Sequence, residues 1–314
     1  MGRKVLVTGG AGFIGSHIVA AHLAAGDDVT IIDDLSTGRR ENVAAGARFV
    51  QADIRSPAAR DLVARGGFDL LNHHAAQMDV RRSVADPVFD AEVNIIGLLN
   101  LLEGARAGGV RRVVFASSGG VVYGDDGVIP HVETNAKFPL SPYGGAKLAS
   151  EYYLTIHARL YGLETVALRY ANVYGPRQRH DGEAGVVAIF GRRLLAGEPL
   201  TIFGDGEQTR DMVFVEDVAS ANLAAGAWTV VPPTGIDNRA FNIGTGIETS
   251  VNRLAHLLGG AAGREPVIHR GAARPGELQR SALAVDKAAR ELGWRPRMTL
   301  SDGLRATVRA LQDS

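Results

Sequence analysis

Val5-Leu6-Val7-Thr8-Gly9-Gly10-Ala11-Gly12-Phe13-Ile14-Gly15 is the stretch from which the fold can be read. Val5–Thr8 is a short apolar run rich in β-branched residues and reads as a strand. The apolar-periodic segment from Phe13 to Ala25, halted at Gly26, reads as a helix. The joint fits G-x-G-x-x-G at Gly10, Gly12 and Gly15, and also G-x-x-G-x-x-G at Gly9, Gly12 and Gly15. Glycines there permit a tight turn and close backbone approach. The helix N-terminus, with its free N–H groups and positive dipole end, then faces the pyrophosphate of a dinucleotide. A glycine turn alone means little; the strand–turn–helix context gives it weight. The second strand, Val29–Asp33, ends in a carboxylate 18 residues past Gly15. Asp33 is placed to accept from ribose hydroxyls and to repel a 2′-phosphate, which favours NAD over NADP. The plainer reading of such an acid, a solvated turn, suits Asp34. Asp53-Ile54, after the third strand, has two readings: holding an adenine edge, or capping the helix that starts at Pro57.

Outward from this unit, strands are expected at Phe49–Ala52, Leu70–His73, Arg112–Ser117 and Thr165–Tyr170. Helices are expected at Pro57–Arg65, Pro87–Ala107 and Pro142–Tyr161. The Pro87 helix has Asp86 as N-cap and Gly108-Gly109 as its stop. Alternating strands and helices, with Val/Ile-rich strands, predict an α/β fold: a doubly wound parallel sheet of Rossmann type with helices on both faces. After Asn172 the texture changes, because Gly175, Pro176, Gly182, Gly185, Gly197, Pro199, Gly204 and Gly206 break the chain into short pieces. The expected division is a dinucleotide-binding domain over 1–176 and a smaller, irregular α/β region over 177–314. Residues of about 213–246 are expected to rejoin the first, through a helix at Phe214–Trp228 and a strand at Phe241–Ile243.

The 314 residues are 46% hydrophobic and 22% charged, a soluble globular composition with ample core material. No run approaches the ~18 apolar residues of a membrane span, and no signal peptide precedes the first strand. With 34 basic and 34 acidic residues and no basic block, the chain lacks the charge signature of a nucleic-acid binder. The absence of cysteine removes disulfides, zinc fingers and thiol nucleophiles. The class that remains is a cytoplasmic enzyme of small-molecule metabolism. Lysine occurs only at Lys4, Lys137, Lys147 and Lys287, leaving arginine for 30 of the 34 basic residues, so a lysine inside a motif carries information.

One such motif is Tyr143-Gly144-Gly145-Ala146-Lys147, near the start of a helix. The four-residue spacing puts phenol and ammonium on one face, a turn apart. A neighbouring ammonium, helped by a positive nicotinamide ring, stabilises phenolate and should bring the phenol down from about 10 toward a usable base. Ser117-Ser118-Gly119-Gly120 lies where the fifth strand leaves the sheet at its carboxyl edge, where ligands bind in open α/β sheets. A hydroxyl there suits a substrate oxygen, and a turn-forming cluster is the plain alternative. His73 and His74 are adjacent and face opposite sides of a strand, and no other histidine spacing suggests a metal.

Thr8–His17, Asp33–Gly38, His74-Ala75-Ala76-Gln77, Ser117-Ser118 with Tyr123-Gly124, Tyr143 with Lys147, Arg169–Pro176 and Arg210-Asp211 together resemble the extended short-chain dehydrogenase/reductase family. The likeness is to its NAD-dependent epimerase/dehydratase type, and within that to bacterial UDP-glucose 4-epimerases. It spans essentially the whole chain. The resemblance implies a tightly held NAD, reduced and reoxidised within each turnover, and inversion of C4 of a UDP-hexose through a transient 4-keto sugar. It implies Tyr143 as the base on the 4-hydroxyl, Lys147 on the nicotinamide ribose and Ser118 on the 4-oxygen.

The cofactor contacts it implies are Gly9, Gly12, Phe13, Ile14 and Gly15; Asp33, Asp34, Leu35, Ser36, Thr37 and Gly38; Asp53 and Ile54; Ala75, Ala76 and Gln77; and Asn94, Ser117, Tyr170 and Val173. For the nucleotide sugar it implies Asn172 and Arg210 at the pyrophosphate, and Gly185, Val186, Val187, Thr201, Ile202 and Phe203 around the uracil. Arg274 and Glu277 would meet phosphate and ribose. It also implies a homodimer pairing the Pro87 and Tyr143 helices across a two-fold axis.

The chain departs from the family pattern where Gly119 stands four before Tyr123, the usual place of the hydroxyl; Ser118 is preferred to Ser117 for that role. Dehydratases of nucleotide sugars follow the hydroxyl with Asp-Glu and decarboxylases carry a Glu there, whereas Gly119 and Gly120 have nothing with which to move a proton. Ser281 falls where some members have a bulky Tyr, so a UDP-N-acetylglucosamine 4-epimerase or a dual-specificity enzyme is the alternative. A non-enzymatic dinucleotide sensor is a third reading, and an activated phenol argues against it.

Overall fold

The computed structural model describes residues 2–125, 127–179, 185–274 and 278–313. Its elements run β1 (Lys4–Thr8), α1 (Phe13–Ala24), β2 (Asp28–Asp33), β3 (Arg48–Gln51), α2 (Pro57–Arg65), β4 (Leu70–His73), α3 (Val80–Ala85), α4 (Pro87–Ala91), α5 (Gly97–Gly108), β5 (Arg112–Ser118), α6 (Gly119–Val122), α7 (Pro142–Tyr161) and β6 (Glu164–Tyr170). They continue β7 (Asn172–Tyr174), α8 (Val186–Ala196), β8 (Leu200–Phe203), β9 (Thr209–Phe214), α9 (Val215–Ala227), β10 (Ala240–Ile243), β11 (Glu248–Ser250), α10 (Val251–Ala262), β12 (Ile268–Gly271) and α11 (Leu300–Gln312).

Among the described residues, seven strands form the main sheet in the order β10-β6-β5-β4-β1-β2-β3, and every neighbouring pair is parallel. The expected doubly wound Rossmann-type sheet is therefore present. Both faces are buried, as a fully parallel sheet requires. Val5 and Val7 face one core with Ile18, Val19, Ile31 and Trp228. Leu6 faces the other, with Ile32, Leu71, Leu98, Leu101 and Phe115. Each such side chain contributes roughly 1.5–3 kcal/mol on burial. Because all strands run the same way, the ends of β1, β4, β5 and β6 share one edge; Thr8 lies beside His73 and Ser118 beside Tyr170. The strand order reverses between β1 and β4, which opens the ligand crevice of this architecture.

β10 returns to the main sheet beside β6. Asn172–Tyr174 leaves that sheet and pairs with β9, in a three-stranded sheet ordered β11-β9-β7. A third core, with Val187, Phe190, Leu200, Ile202, Phe214, Leu254 and Leu304, lies in this later part of the chain.

The single helix expected over Pro87–Ala107 is interrupted. Asp86 does cap its start, accepting from the N–H of Phe89 at 3.0 Å. Glu92–Ile96, however, forms a π-turn between α4 and α5. Within that wider turn Asn94 is buried and bonded to both Gln77 and Asp90. Gly97 then meets Ile54 so closely that a Cβ would lie 2.6 Å from its Cδ1. Such contacts are tertiary and leave no period in the sequence.

Candidate active site

The turn after β1 is shaped by its glycines. Gly9 has φ +69° and a Cβ there would sit 2.7 Å from the N of Ala75. A Cβ on Gly15 would lie 2.1 Å from the carbonyl oxygen of Gly9, so the helix can approach the turn only with glycine there. Gly12, the N-cap of α1, supplies no side-chain cap, which leaves the first-turn amides beside Phe13 and Ile14 for an anionic ligand. Asp33 is buried, with one carboxylate oxygen on the N–H of Ala11 (3.0 Å) and the other on that of Leu35 (2.9 Å). Burial pushes its carboxyl above the usual range, against the pull of those two amides. Leu35 is held at φ +61°, and Ser36 folds back onto the Asp34 carboxylate. The Thr8 hydroxyl oxygen accepts from the N–H groups of His74 and Ala75, both at 3.1 Å, and lies 2.6 Å from Nδ1 of His73. Glycine turn, uncapped helix start and buried ribose-side acid make a cradle that fits a dinucleotide.

At the ends of β5 and β6 the catalytic candidates assemble. Ser141 caps α7 by accepting from the N–H of Gly144, and Pro142 opens the helix. Lys147 Nζ donates to the Ala116 carbonyl at 2.9 Å and stands 5.6 Å from the Tyr143 ring centroid. Ser117 and Ser118 alternate across β5 and so point to opposite faces. Ser117 is turned inward, its hydroxyl donating to Glu151 at 2.5 Å. The hydroxyl oxygen of Ser118 and Oδ1 of Asn172 lie 3.9 and 4.0 Å from the point where Gly120 would carry a Cβ, so both border the same open space. A Cβ on Gly119 would lie 2.5 Å from Leu283, which leaves no room for an acid there.

Burial raises the Tyr143 phenol, and the Asp90 charge pushes the same way. Burial also lowers Lys147 to about 8, opposed by Asp90 and Glu151. His74 is pushed down to about 3 and His73 well below its ordinary value, by burial first and then by Lys147. Both histidines are therefore neutral near pH 7. His74 Nε2 pairs with the Tyr170 hydroxyl (2.9 Å), which also accepts from Asn222.

Several expected contacts have other partners. The Asp53 carboxylate is taken by Arg55 at 2.6 Å, which holds it below the usual range. Ser56, not Asp53, caps α2. Ile54 and Val187 are core side chains. β8 alternates: Leu200 and Ile202 are buried, while Thr201 and Phe203 face the open side, and Arg274 stacks on Phe203 with its guanidinium carbon 3.9 Å from the ring centroid. Asn94 and Gln77 are bonded to each other and to Asp90. Val173 packs on the first core, its carbonyl accepting from Gln178. Gly185 caps α8, with Val186 partly buried behind it. Arg210 donates to the Thr209 carbonyl. The neighbouring Asp211 organises Thr245, Gly246 and Leu283 by accepting from their N–H groups. Ser281 is buried. Glu277 lies outside the described residues.

Sequence reading missed Asp90, Glu151 and the Arg169 side chain. Glu151 was accessible to it: Tyr143, Lys147 and Glu151 follow one another at four-residue steps on a single helix face.

A glycine-cradled dinucleotide crevice, with a Tyr/Lys pair over the end of the fifth strand, defines a nicotinamide-dependent enzyme acting on a hydroxyl-bearing carbon. The model for the NAD dependent epimerase/dehydratase family matches residues 5–244, and the chain belongs to that family. It is 47% identical over 312 residues to the UDP-glucose 4-epimerase of Mycolicibacterium smegmatis, covering 97% of each chain. It is similar to the crystal structure of the Thermotoga maritima UDP-glucose 4-epimerase with UDP-glucose (45% identity, TM-score 0.93, 99% of each chain). It is also similar to the Thermus thermophilus UDP-glucose 4-epimerase complexed with NAD (43% identity, TM-score 0.88, 98% of this chain and 99% of that one). No helix among the described residues is long and apolar enough to cross a membrane.

Proposed function

We propose that this chain interconverts UDP-glucose and UDP-galactose by inverting C4, with NAD regenerated in each turnover. The observation that carries the reading is the pairing of Tyr143 and Lys147 over a β5 end whose next two residues are glycine. The site has a phenol and a hydroxyl to handle one proton at O4, and Gly119 and Gly120, with Leu283 packed on the first of them, offer no acid for elimination. Identities of 47% and 45% to UDP-glucose 4-epimerases over nearly the whole chain support it.

The Gly9–Gly15 turn and the α1 start would hold the pyrophosphate of NAD, and Asp33 its ribose. When bound, NAD would supply a hydride acceptor and a positively charged ring. Tyr143 takes the proton from the sugar 4-hydroxyl and returns it to O4 after the sugar has turned. Ser118 donates to the 4-oxygen as charge builds there. Lys147, fixed on the Ala116 carbonyl, orients the ribose and places a positive charge near the phenolate. Asn172 and Arg210 hold the diphosphate of the substrate, and the open face of β8, with Thr201, Phe203 and the stacked Arg274, receives the base. A gripped nucleotide and a loose sugar let either face of C4 meet the cofactor.

The reading includes a homodimer: Val84, Val88, Ile96, Tyr152, Ile156 and Leu160 are exposed on the α3–α5 and α7 surface, an apolar face that a second copy would cover. It also implies a cytoplasmic protein, where nucleotide sugars and NAD are available. The test is incubation with UDP-galactose, with product analysis and absorbance followed together. Appearance of UDP-glucose with no net NADH supports the reading. A product lighter by water, or net NADH, overturns it.

A further inference from the structure

We propose that Ser117, Glu151 and Arg169 form a buried latch that sets the orientation of Ser118 against the Tyr143 helix, making Ser117 a positioning residue rather than a cofactor contact. The inference rests on the epimerase reading above and assigns to that reaction residues that touch neither substrate nor cofactor.

Arg169 is 0% exposed, Glu151 2% and Ser117 2%. The guanidinium has five N–H donors, and all five find acceptors. Nε and one Nη2 proton go to Glu151, at 3.0 and 2.6 Å, and the other Nη2 proton to Asp237 at 2.8 Å. The Nη1 protons go to the Tyr123 hydroxyl (3.0 Å) and the Glu133 carbonyl (2.9 Å). A fully satisfied planar fork of this kind has one orientation, and it fixes the Glu151 carboxylate. That carboxylate is already neutralised by Arg169. The further bond from the Ser117 hydroxyl, at 2.5 Å, is therefore not needed to pair a buried charge.

Its consequence is geometric. Ser117 and Ser118 are the last two rungs of the β5–β6 ladder, opposite Arg169 and Tyr170. Consecutive strand residues point to opposite faces, so holding Ser117 against α7 aims Ser118 into the open space it shares with Asn172. The same helix face grips the strand end twice within two residues, through Lys147 on the Ala116 carbonyl and Glu151 on Ser117. Tyr143 stands on that face, so the phenol and the Ser118 hydroxyl are set relative to each other through these two bonds.

The test compares Ser117→Ala, Ser117→Thr and wild type in UDP-galactose conversion, with NAD content, KM, melting temperature and the isotope effect from C4-deuterated substrate. In Ser117→Ala the Glu151–Arg169 pair stays intact. Its kcat is expected to fall about ten- to a hundredfold, the cost of a misplaced reacting group, with NAD content, KM and melting temperature unchanged and a larger isotope effect on kcat. Ser117→Thr, which keeps the hydroxyl, is expected to restore kcat. A full-rate Ser117→Ala overturns the latch. So does a loss that tracks NAD content or KM, which would make Ser117 a ligand contact, and so does a loss of folded protein that Thr does not repair. Failure of the wild type to convert UDP-galactose would overturn the epimerase reading instead, and is seen in the same assay.

Discussion

In the proposed reading, the two ends of the site are built by different means. The cofactor end is fixed by backbone: Gly9 donates its N–H to the Ile32 carbonyl, Asp33 sits on two amides, and the Thr8 oxygen takes two more. The sugar end is fixed by side chains from separate segments, such as Arg274 stacked on Phe203 and Gln178 on the Val173 carbonyl. Residues 176–179 tie the two together: the Pro176 carbonyl bonds His17, Arg177 reaches Ser16, and Arg179 reaches the Thr37 carbonyl. A backbone-built site holds a ligand that must stay through every turnover, while a side-chain-built one admits a ligand that must leave.

The contrast predicts separable defects. The largest belongs to the junction of the two ends. Tyr143→Phe is expected to lower kcat by about 10²–10⁴-fold, the worth of a positioned acid–base group, while NAD content measured after denaturation is unchanged. Loss of the NAD together with the activity would break the separation between the ends.

Next is Gly9→Ala. An L-residue in the left-handed region costs roughly 1–2 kcal/mol, and the added methyl would meet the Ala75 amide at 2.7 Å. Purified protein should carry clearly less NAD and melt lower, with the KM for UDP-galactose unchanged once NAD is added in excess.

A third expectation concerns pH. Lys147 is held at about 8 in the fold against about 10.4 in an open chain. Between about pH 8 and 10 the unfolded chain binds the additional proton, so this group's contribution to stability rises with pH. Activity that needs the ammonium falls across the same window. Rate profiles and denaturation midpoints should therefore move in opposite directions, and a parallel decline would show that Lys147 is not the titrating group.

The smallest effect belongs to the sugar end. Arg274→Ala removes an exposed cation–π contact of about 0.5–1 kcal/mol, so KM for UDP-galactose should rise a few-fold while kcat and NAD content hold. A fall in kcat would mean that the base-binding face also governs how the sugar turns.

Legibility in the sequence follows the same line. The Gly9–Gly15 turn is contiguous, Tyr143 and Lys147 are one helical turn apart, and Asp33 ends the next strand of the same βαβ unit, so spacing within short segments was enough to name them. At β8, the family resemblance named Thr201, Ile202 and Phe203 together, yet alternation sends Ile202 into the core and leaves the other two outward. The pairing of the Asp53 carboxylate with Arg55 was not read from the sequence either. The phenol is expected to be lowered by Lys147 together with a positive nicotinamide ring; the burial that works against them was not legible, because desolvation depends on everything packed around the group and not on the nearest charge in sequence.

The alternation of strands and helices through β6, the glycine turn after β1 and the one-turn spacing of Tyr143 and Lys147 were legible in the sequence itself, since each depends on backbone geometry over a few neighbouring residues. Which serine faces the open space, which acids are already paired, and how the Asn94 turn bends were decided only by the tertiary structure. Those outcomes depend on partners far away in the chain, such as Arg169 and Glu151 behind Ser117, and a side chain's direction is set by what it is packed against.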